Sequence, residues 1–227
     1  MLLAARSHIE AMRLLAYRTA VAIDEGDLLA DLLTPLAKAW LTDVGSEVAR
    51  LATQVVGGMG YIRETGVEQH ERDVRIASIY EGTNGIQAID LIGRKLDLDG
   101  GKTLATVVSD IGATANELGG VEGLRLAQAA SAVEEGAEWL RGAYGTDPRD
   151  ALAGATPYLR LLSSAVAGSQ IGQQALAARA DPSDPFLAAK ASTASFFLTQ
   201  ALPQATALLP SVTGGSALLD AIPADEL

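Results

Sequence analysis

The sequence contains no cysteine, so disulfides and thiolate metal sites are excluded, while a reducing compartment is permitted without being required. Aromatic residues are scarce at 4% although 48% of the residues are apolar. The apolar mass is therefore mostly Ala, Leu, Val and Ile, which suits closely packed helices better than an aromatic-rich β-sandwich. Positive charge is also in deficit, with 17 Lys and Arg against 28 Asp and Glu and a net charge of −11. Such a chain repels phosphate backbones and anionic lipid, which argues against nucleic acid or a membrane surface as a partner. No apolar run approaches the roughly 18 residues of a membrane span, so no membrane insertion is expected. The opening Met1-Leu2-Leu3-Ala4-Ala5-Arg6-Ser7-His8 lacks the basic segment and sustained apolar stretch of a signal peptide. A soluble, cytoplasmic protein is the expectation. His8 and His70 have no neighbours at metal-ligand spacing, so no metal site is expected, and no Ser/His/Asp arrangement is evident.

What is present is helical periodicity. Ile9, Met12, Ala16, Ala20 and Ile23 recur at helical spacing between Leu2 and Ile23, with Arg6, Glu10, Arg13 and Arg18 largely elsewhere on the wheel. The first residues read as mid-helix, without a cap, so the chain is expected to start inside a fold. Thr34-Pro35 reads as a helix start, with Thr as cap and Pro in the first turn. The stripe Leu36, Trp40, Val44, Val48, Leu51, Val55 carries that helix to about Val56, with a backward extension through Leu28–Leu33 left open, and Gly57-Gly58 stops it. A helical, charge-dense run follows from Gly66 to Arg75, and a further helix is expected from about Thr83 to Leu96. Asp97-Leu98-Asp99-Gly100-Gly101 reads as a linker. Beyond it, Ala-rich helices are expected at about 102–118, 122–144, 148–179 and 185–209, then a short last helix after Gly214-Gly215 and a frayed tail over 223–227. The fold class is all-α, in two units, residues 1–97 and 98–227.

Chemistry concentrates between Gln54 and Gln87. Glu81 lies between the apolar pair Ile79-Tyr80 and Gly82, a setting expected to desolvate a carboxylate and make it a stronger base. Gly57-Gly58-x-Gly60 invites a dinucleotide-loop reading, but that motif needs a strand before it, and here a long helix precedes. Two readings stay open for these glycines: a helix C-cap with a turn, or a loop whose bare N–H groups admit a phosphate beside Gln54. Glu64, Glu68, Glu71, Arg72, Asp73 and Arg75 read as a solvated face laced with ion pairs, with an Arg72-Asp73 brace as the alternative.

Taken in order, Gln54-x-x-Gly57-Gly58-x-Gly60-Tyr61, Glu64, Glu68, Arg72-Asp73-x-x-Ile76 and Ile79-Tyr80-Glu81-Gly82-Thr83-x-x-Ile86-Gln87 resemble the signature of the acyl-CoA dehydrogenase family. Residues 1–97 resemble the later helices of that family's C-terminal helical domain, without its first helix. Tyr158-Leu159-Arg160-Leu161, Asp184-Pro185-Phe186-Leu187-Ala188-Ala189-Lys190 and Gln200-Ala201-Leu202-Pro203-Gln204 resemble the accessory helical domain of its larger members. The resemblance implies FAD-dependent α,β-dehydrogenation of an acyl-CoA thioester, with Glu81 taking the α proton. The Glu81 N–H and a flavin ribityl hydroxyl would then polarise the thioester carbonyl. It implies that Gly82 leaves room for the acyl chain, that Gln54, Val55, Val56, Gly57 and Gly58 meet the adenine and pyrophosphate end of an FAD held mainly by a neighbouring subunit, and that Thr83, Asn84, Gly85 and Gln87 approach FAD at a helix start. An oligomer, homomeric or heteromeric, and an acceptor such as electron-transfer flavoprotein are implied partners. The family's N-terminal helical domain, middle β domain and Arg-x-x-Phe-Gly helix are not among these 227 residues, and Ala88 stands where many members carry Arg. This chain by itself is expected to hold FAD poorly, and the competing expectation is a catalytically silent helical interaction module that pairs with another subunit.

Overall fold

The computed structural model describes residues 1–219, 221–223 and 226. In chain order the helices are α1 (Leu2–Asp24), α2 (Leu29–Val56), α3 (Gly58–Tyr61), α4 (Val67–Val74), α5 (Asn84–Asp90), α6 (Lys102–Leu118), α7 (Gly120–Thr146), α8 (Pro148–Ala153), α9 (Ala155–Ala178), α10 (Pro185–Phe196), α11 (Leu202–Thr206) and α12 (Leu209–Val212). Among the described residues there is no strand, and no helix is long and apolar enough to cross a membrane. The fold is all-α.

α9 is the central element. Tyr158, Leu159, Leu161, Leu162, Ala165, Ala167 and Ile171 are all buried, and they point in every direction around the helix, as expected of one enclosed on all sides. It packs against α1, α2, α5, α6, α7 and α10. Burial pushes the Tyr158 hydroxyl well above the ordinary tyrosine range, so it stays protonated and donates to the Val133 carbonyl at 3.3 Å.

The inward face of α1 differs from the one its apolar stripe suggests. Ser7, Ala11, Leu15, Thr19 and Ala22 are buried, whereas Ile9 and Ile23 are exposed. Small residues let α1 approach its neighbours closely, and its two buried hydroxyls cost little because each bonds within the helix, Ser7 to the Ala4 carbonyl and Thr19 to that of Leu15. α2 takes the earlier start that the sequence left open, at Leu29. Pro35 lies inside the helix, because burial of Leu32, Leu33 and Leu36 favours helix upstream of it, and the Asp27 carboxylate accepts from the Leu29 N–H at 2.9 Å. The α2 stripe is buried at Leu36, Trp40 and Val44 but reaches the surface at Val55.

Three segments expected to be continuous helices are interrupted or distorted. The segment 148–179 divides at Gly154, where a Cβ would stand 2.2 Å from the Val212 carbonyl oxygen. The segments 83–96 and 185–209 each pass through a π-helical turn, Leu91–Lys95 and Phe197–Ala201. From Ser216 to Leu219 the chain forms turns rather than the expected helix, and the tail beyond Pro223 lies mostly outside the described residues.

Specific contacts tie the two sequence halves together. Phe197 packs edge-on against Trp40 and His8, at centroid distances of 6.4 and 5.7 Å. Arg160 donates to Glu47 on α2 at 2.8 Å. Glu10 on α1 meets Lys190 of α10 at 3.1 Å and Gln174 of α9 at 2.9 Å. One apolar cluster runs from Ala11 to Val212.

Candidate functional site

The loop around α3, the charged α4 and the turn before α5 run back along α2 from its C-terminal end towards its start. α2 ends where Gly57 adopts φ 69°, its N–H donating to the carbonyls of Thr53 and Gln54. The chain then folds back so tightly that a Cβ on buried Gly60 would stand 2.7 Å from the Thr53 oxygen. Gln54, Val55, Val56, Gly57 and Gly58 are exposed, and a Cβ at Gly57 or Gly58 would meet nothing within 4 Å. The backbone there is open to an approaching ligand.

On α4 the charges are spent locally. The Arg72 guanidinium bonds Glu68 at 2.5 and 3.1 Å and holds that carboxyl below its ordinary range, while Asp73 accepts from Gln69. Arg72 and Asp73 are exposed, so the solvated-face reading applies and the buried brace does not. Thr53 reaches across to Glu71 at 3.2 Å. Tyr61, Arg63 and Arg75 help line an open cleft of about 820 Å³ on this side. His70 is exposed, and no group of His, Asp and Glu among the described residues is placed to hold a metal.

After the short helical turn Arg75–Ser78, the N–H groups of Ile79 and Tyr80 return to the Ile76 carbonyl at 2.9 and 3.2 Å. Glu81 and Gly82 then take φ values of 55° and 85°. A left-handed glutamate is uncommon, and such strain clusters where a side chain must be aimed. The desolvating pocket expected from the sequence is not supplied by the neighbours: Ile79 and Tyr80 are each 51% exposed, and Glu81 itself is exposed. The reason is directional, since a turn that reverses the chain carries adjacent side chains outward together.

Thr83 caps α5 by accepting from the Ile86 N–H at 3.2 Å. Asn84 points back into the fold, its Nδ2 within hydrogen-bond distance of the Ala39 carbonyl (3.1 Å), Thr42 (2.9 Å) and Asp43 (2.7 Å). Lys38 donates to the Gly82 carbonyl at 2.6 Å and to Asn84 Oδ1 at 2.8 Å. Gly85 is exposed and Gln87 half-buried. Lys38, Thr42 and Asp43 were missed by sequence reasoning. Their one signal is that Lys38 and Thr42 stand one helical turn apart on α2, which does not reveal what they face.

The molecule is thus a helical array that displays a carboxylate on a left-handed turn held near the start of α2, whose far end is closed by glycines. Residues 1–96 match the family description "Acyl-CoA dehydrogenase, C-terminal domain", and residues 104–223 match "Acetyl-CoA dehydrogenase C-terminal like". The chain belongs to the acyl-CoA dehydrogenase family. It is 43% identical over 208 residues to 3-methylmercaptopropionyl-CoA dehydrogenase of Ruegeria pomeroyi, spanning 87% of this chain and 35% of the relative. It is 42% identical over 88 residues to cyclohex-1-ene-1-carbonyl-CoA dehydrogenase of Geobacter metallireducens, spanning 39% of this chain and 23% of the relative. This chain therefore spans about a third or less of the length of these relatives. Its fold resembles the solved acyl-CoA dehydrogenase complexed with FAD from Bacillus anthracis, with TM-score 0.73 at 17% identity over 93% of this chain and 41% of that one. It also resembles Caenorhabditis elegans ACDH-11 in complex with C11-CoA, with TM-score 0.63 at 16% identity over 85% and 34%.

Proposed function

We propose that this chain is the C-terminal part of an FAD-dependent acyl-CoA dehydrogenase that forms a double bond between the α and β carbons of an acyl-CoA thioester, with Glu81 as the α-proton base. The observation that carries the reading is the Glu81–Gly82 turn: an accessible carboxylate on a left-handed residue, anchored to α2 through Lys38. Among the described residues the Glu81 N–H has no backbone acceptor. It is free to donate to the thioester carbonyl while the carboxylate accepts the α proton, the pairing that proton abstraction next to a carbonyl requires. Gly82, with no side chain, leaves room beside the base for an acyl chain. Desolvation of Glu81 falls to the bound substrate and to surfaces outside this chain.

FAD, when bound, supplies the hydride acceptor for the β carbon. The open Gln54–Gly58 segment fits such a group, since nothing occupies the space above Gly57 and Gly58. Thr83 and Asn84 use their side chains within the fold, so in this reading they shape the cofactor wall and offer backbone, as Gly85 does, while Gln87 lies alongside. The FAD bound to the similar Bacillus anthracis enzyme and the C11-CoA bound to ACDH-11 support the assignment. Residues 1–97 as the dehydrogenase unit and 98–227 as the accessory unit, a neighbouring subunit completing the FAD site, an electron-transfer flavoprotein as acceptor and a cytoplasmic location belong to the same proposal.

In an enzyme assembled from this chain and the remaining domains, Glu81→Gln abolishes α-proton removal and leaves FAD bound. Undiminished turnover in that variant would remove Glu81 from the mechanism. A chain that stays colourless with FAD and every candidate partner favours the silent interaction module instead.

A further inference from the structure

We infer that Lys38 is the positioning residue of the Glu81 turn, a clamp that holds the carboxylate from behind through the backbone. The inference rests on the proposed role of Glu81 for its functional consequence, but not for its geometry. Gly82 takes its φ of 85° at little cost, but Glu81 at 55° persists only where the surroundings over-determine it. The turn's own bonds lie on either side of the pair: Ile79 and Tyr80 return to Ile76, and Ile86 and Gln87 return to Thr83. Between them, the Gly82 carbonyl takes its bond from Lys38 Nζ at 2.6 Å. The same ammonium bonds Asn84 Oδ1 at 2.8 Å, so one charged group spans the turn and the first residue of α5.

The clamp has a rigid base. Lys38 is half-buried on α2, between Leu36 and the pair Ala39-Trp40, all buried. Asn84 in turn reaches the Ala39 carbonyl, Thr42 and Asp43, so the contacts span more than one turn of a single helix. Lysine suits the task because its compact ammonium carries three donors on a long stem. Methionine has a similar reach and no donor. The turn exposes Glu81 and its neighbours to solvent, so packing does not aim the carboxylate, and the bonds from α2 must.

Hydrogen exchange on the 227-residue chain tests the clamp. In Lys38→Met the amides of Ile79, Tyr80, Ile86 and Gln87 are expected to exchange about tenfold to a hundredfold faster, the range set by loss of a charge-assisted bond, while amides in the middle of α2 and α9 keep their rates. Lys38→Arg restores part of the protection. Unchanged loop rates, or equal acceleration through α2 and α9, overturns the clamp. In the unsubstituted chain, a through-bond NMR coupling between Lys38 15Nζ and the Gly82 carbonyl 13C is expected, and its absence overturns the clamp whether or not the variant folds. In the assembled enzyme Lys38→Met lowers kcat at least tenfold with KM and FAD content little changed, and kcat equal to wild type overturns the positioning role. If Glu81→Gln keeps full turnover, the base assignment fails while the exchange result stands, so the two failures are distinguishable.

Discussion

Glu10 is the carboxylate that welds α1 to the second half of the chain, and Glu10→Gln measures the strength of that weld. Its side chain is 11% exposed and meets Lys190 Nζ at 3.1 Å, Arg6 Nε at 3.1 Å and Gln174 Nε2 at 2.9 Å. The Arg6 pair is local and half-exposed on the Arg6 side, so it contributes about 0.3–0.5 kcal/mol. The Lys190 and Gln174 contacts bridge three helices from a shielded position, where hydrogen bonds to a charged group contribute about 1.5–3 kcal/mol. A neutral glutamine keeps the shape and one acceptor, so the expected loss is about 2 kcal/mol at neutral pH, or roughly 4–8 °C in Tm for a chain of this size. Burial alone would push the Glu10 carboxyl up, but Gln174, Arg6 and Lys190 outweigh it and hold it below its ordinary value of 4.5. A group depressed in the folded state contributes stability above the unfolded value and loses it as pH falls through the folded one. Urea melts of wild type and variant are therefore expected to differ at pH 7 and to converge as pH drops below 4.5. A difference that is absent at pH 7, or that stays constant into acid, would refute the assignment of this stability to the Glu10 charge.

Gly154→Ala is expected to lower the urea midpoint, because a Cβ 2.2 Å from the Val212 carbonyl oxygen forces backbone apart. That costs about 1–3 kcal/mol, against about 0.4–1 kcal/mol returned by a less flexible unfolded chain. An unchanged or raised midpoint would show that α12 yields freely. Asn84→Ala removes the link from α5 to Ala39, Thr42, Asp43 and Lys38, and thermal melts should show a loss of about 1.5–3 kcal/mol. A loss below about 0.5 kcal/mol would mean that the network is solvent-replaceable.

By itself the sequence determined the class of fold, most helix positions and the stretch where chemistry gathers. Those signals are local: apolar periodicity, Pro and Gly punctuation, and the ordered motif from Gln54 to Gln87 are carried by neighbours along the chain. α6 emerged at its expected limits, Lys102–Leu118, because Gly101 and Gly119 bound it. Tertiary structure decided which face of α1 is buried, since close approach selected Ser7, Ala11 and Thr19 over larger apolar residues. It decided the break at Gly154, which depends on a carbonyl far along the chain. It also decided that Glu81 stands exposed on a left-handed turn and that Lys38 reaches Gly82. Backbone handedness at a turn, and the partner of a side chain on a separate helix, depend on how helices pack, and no local pattern encodes either.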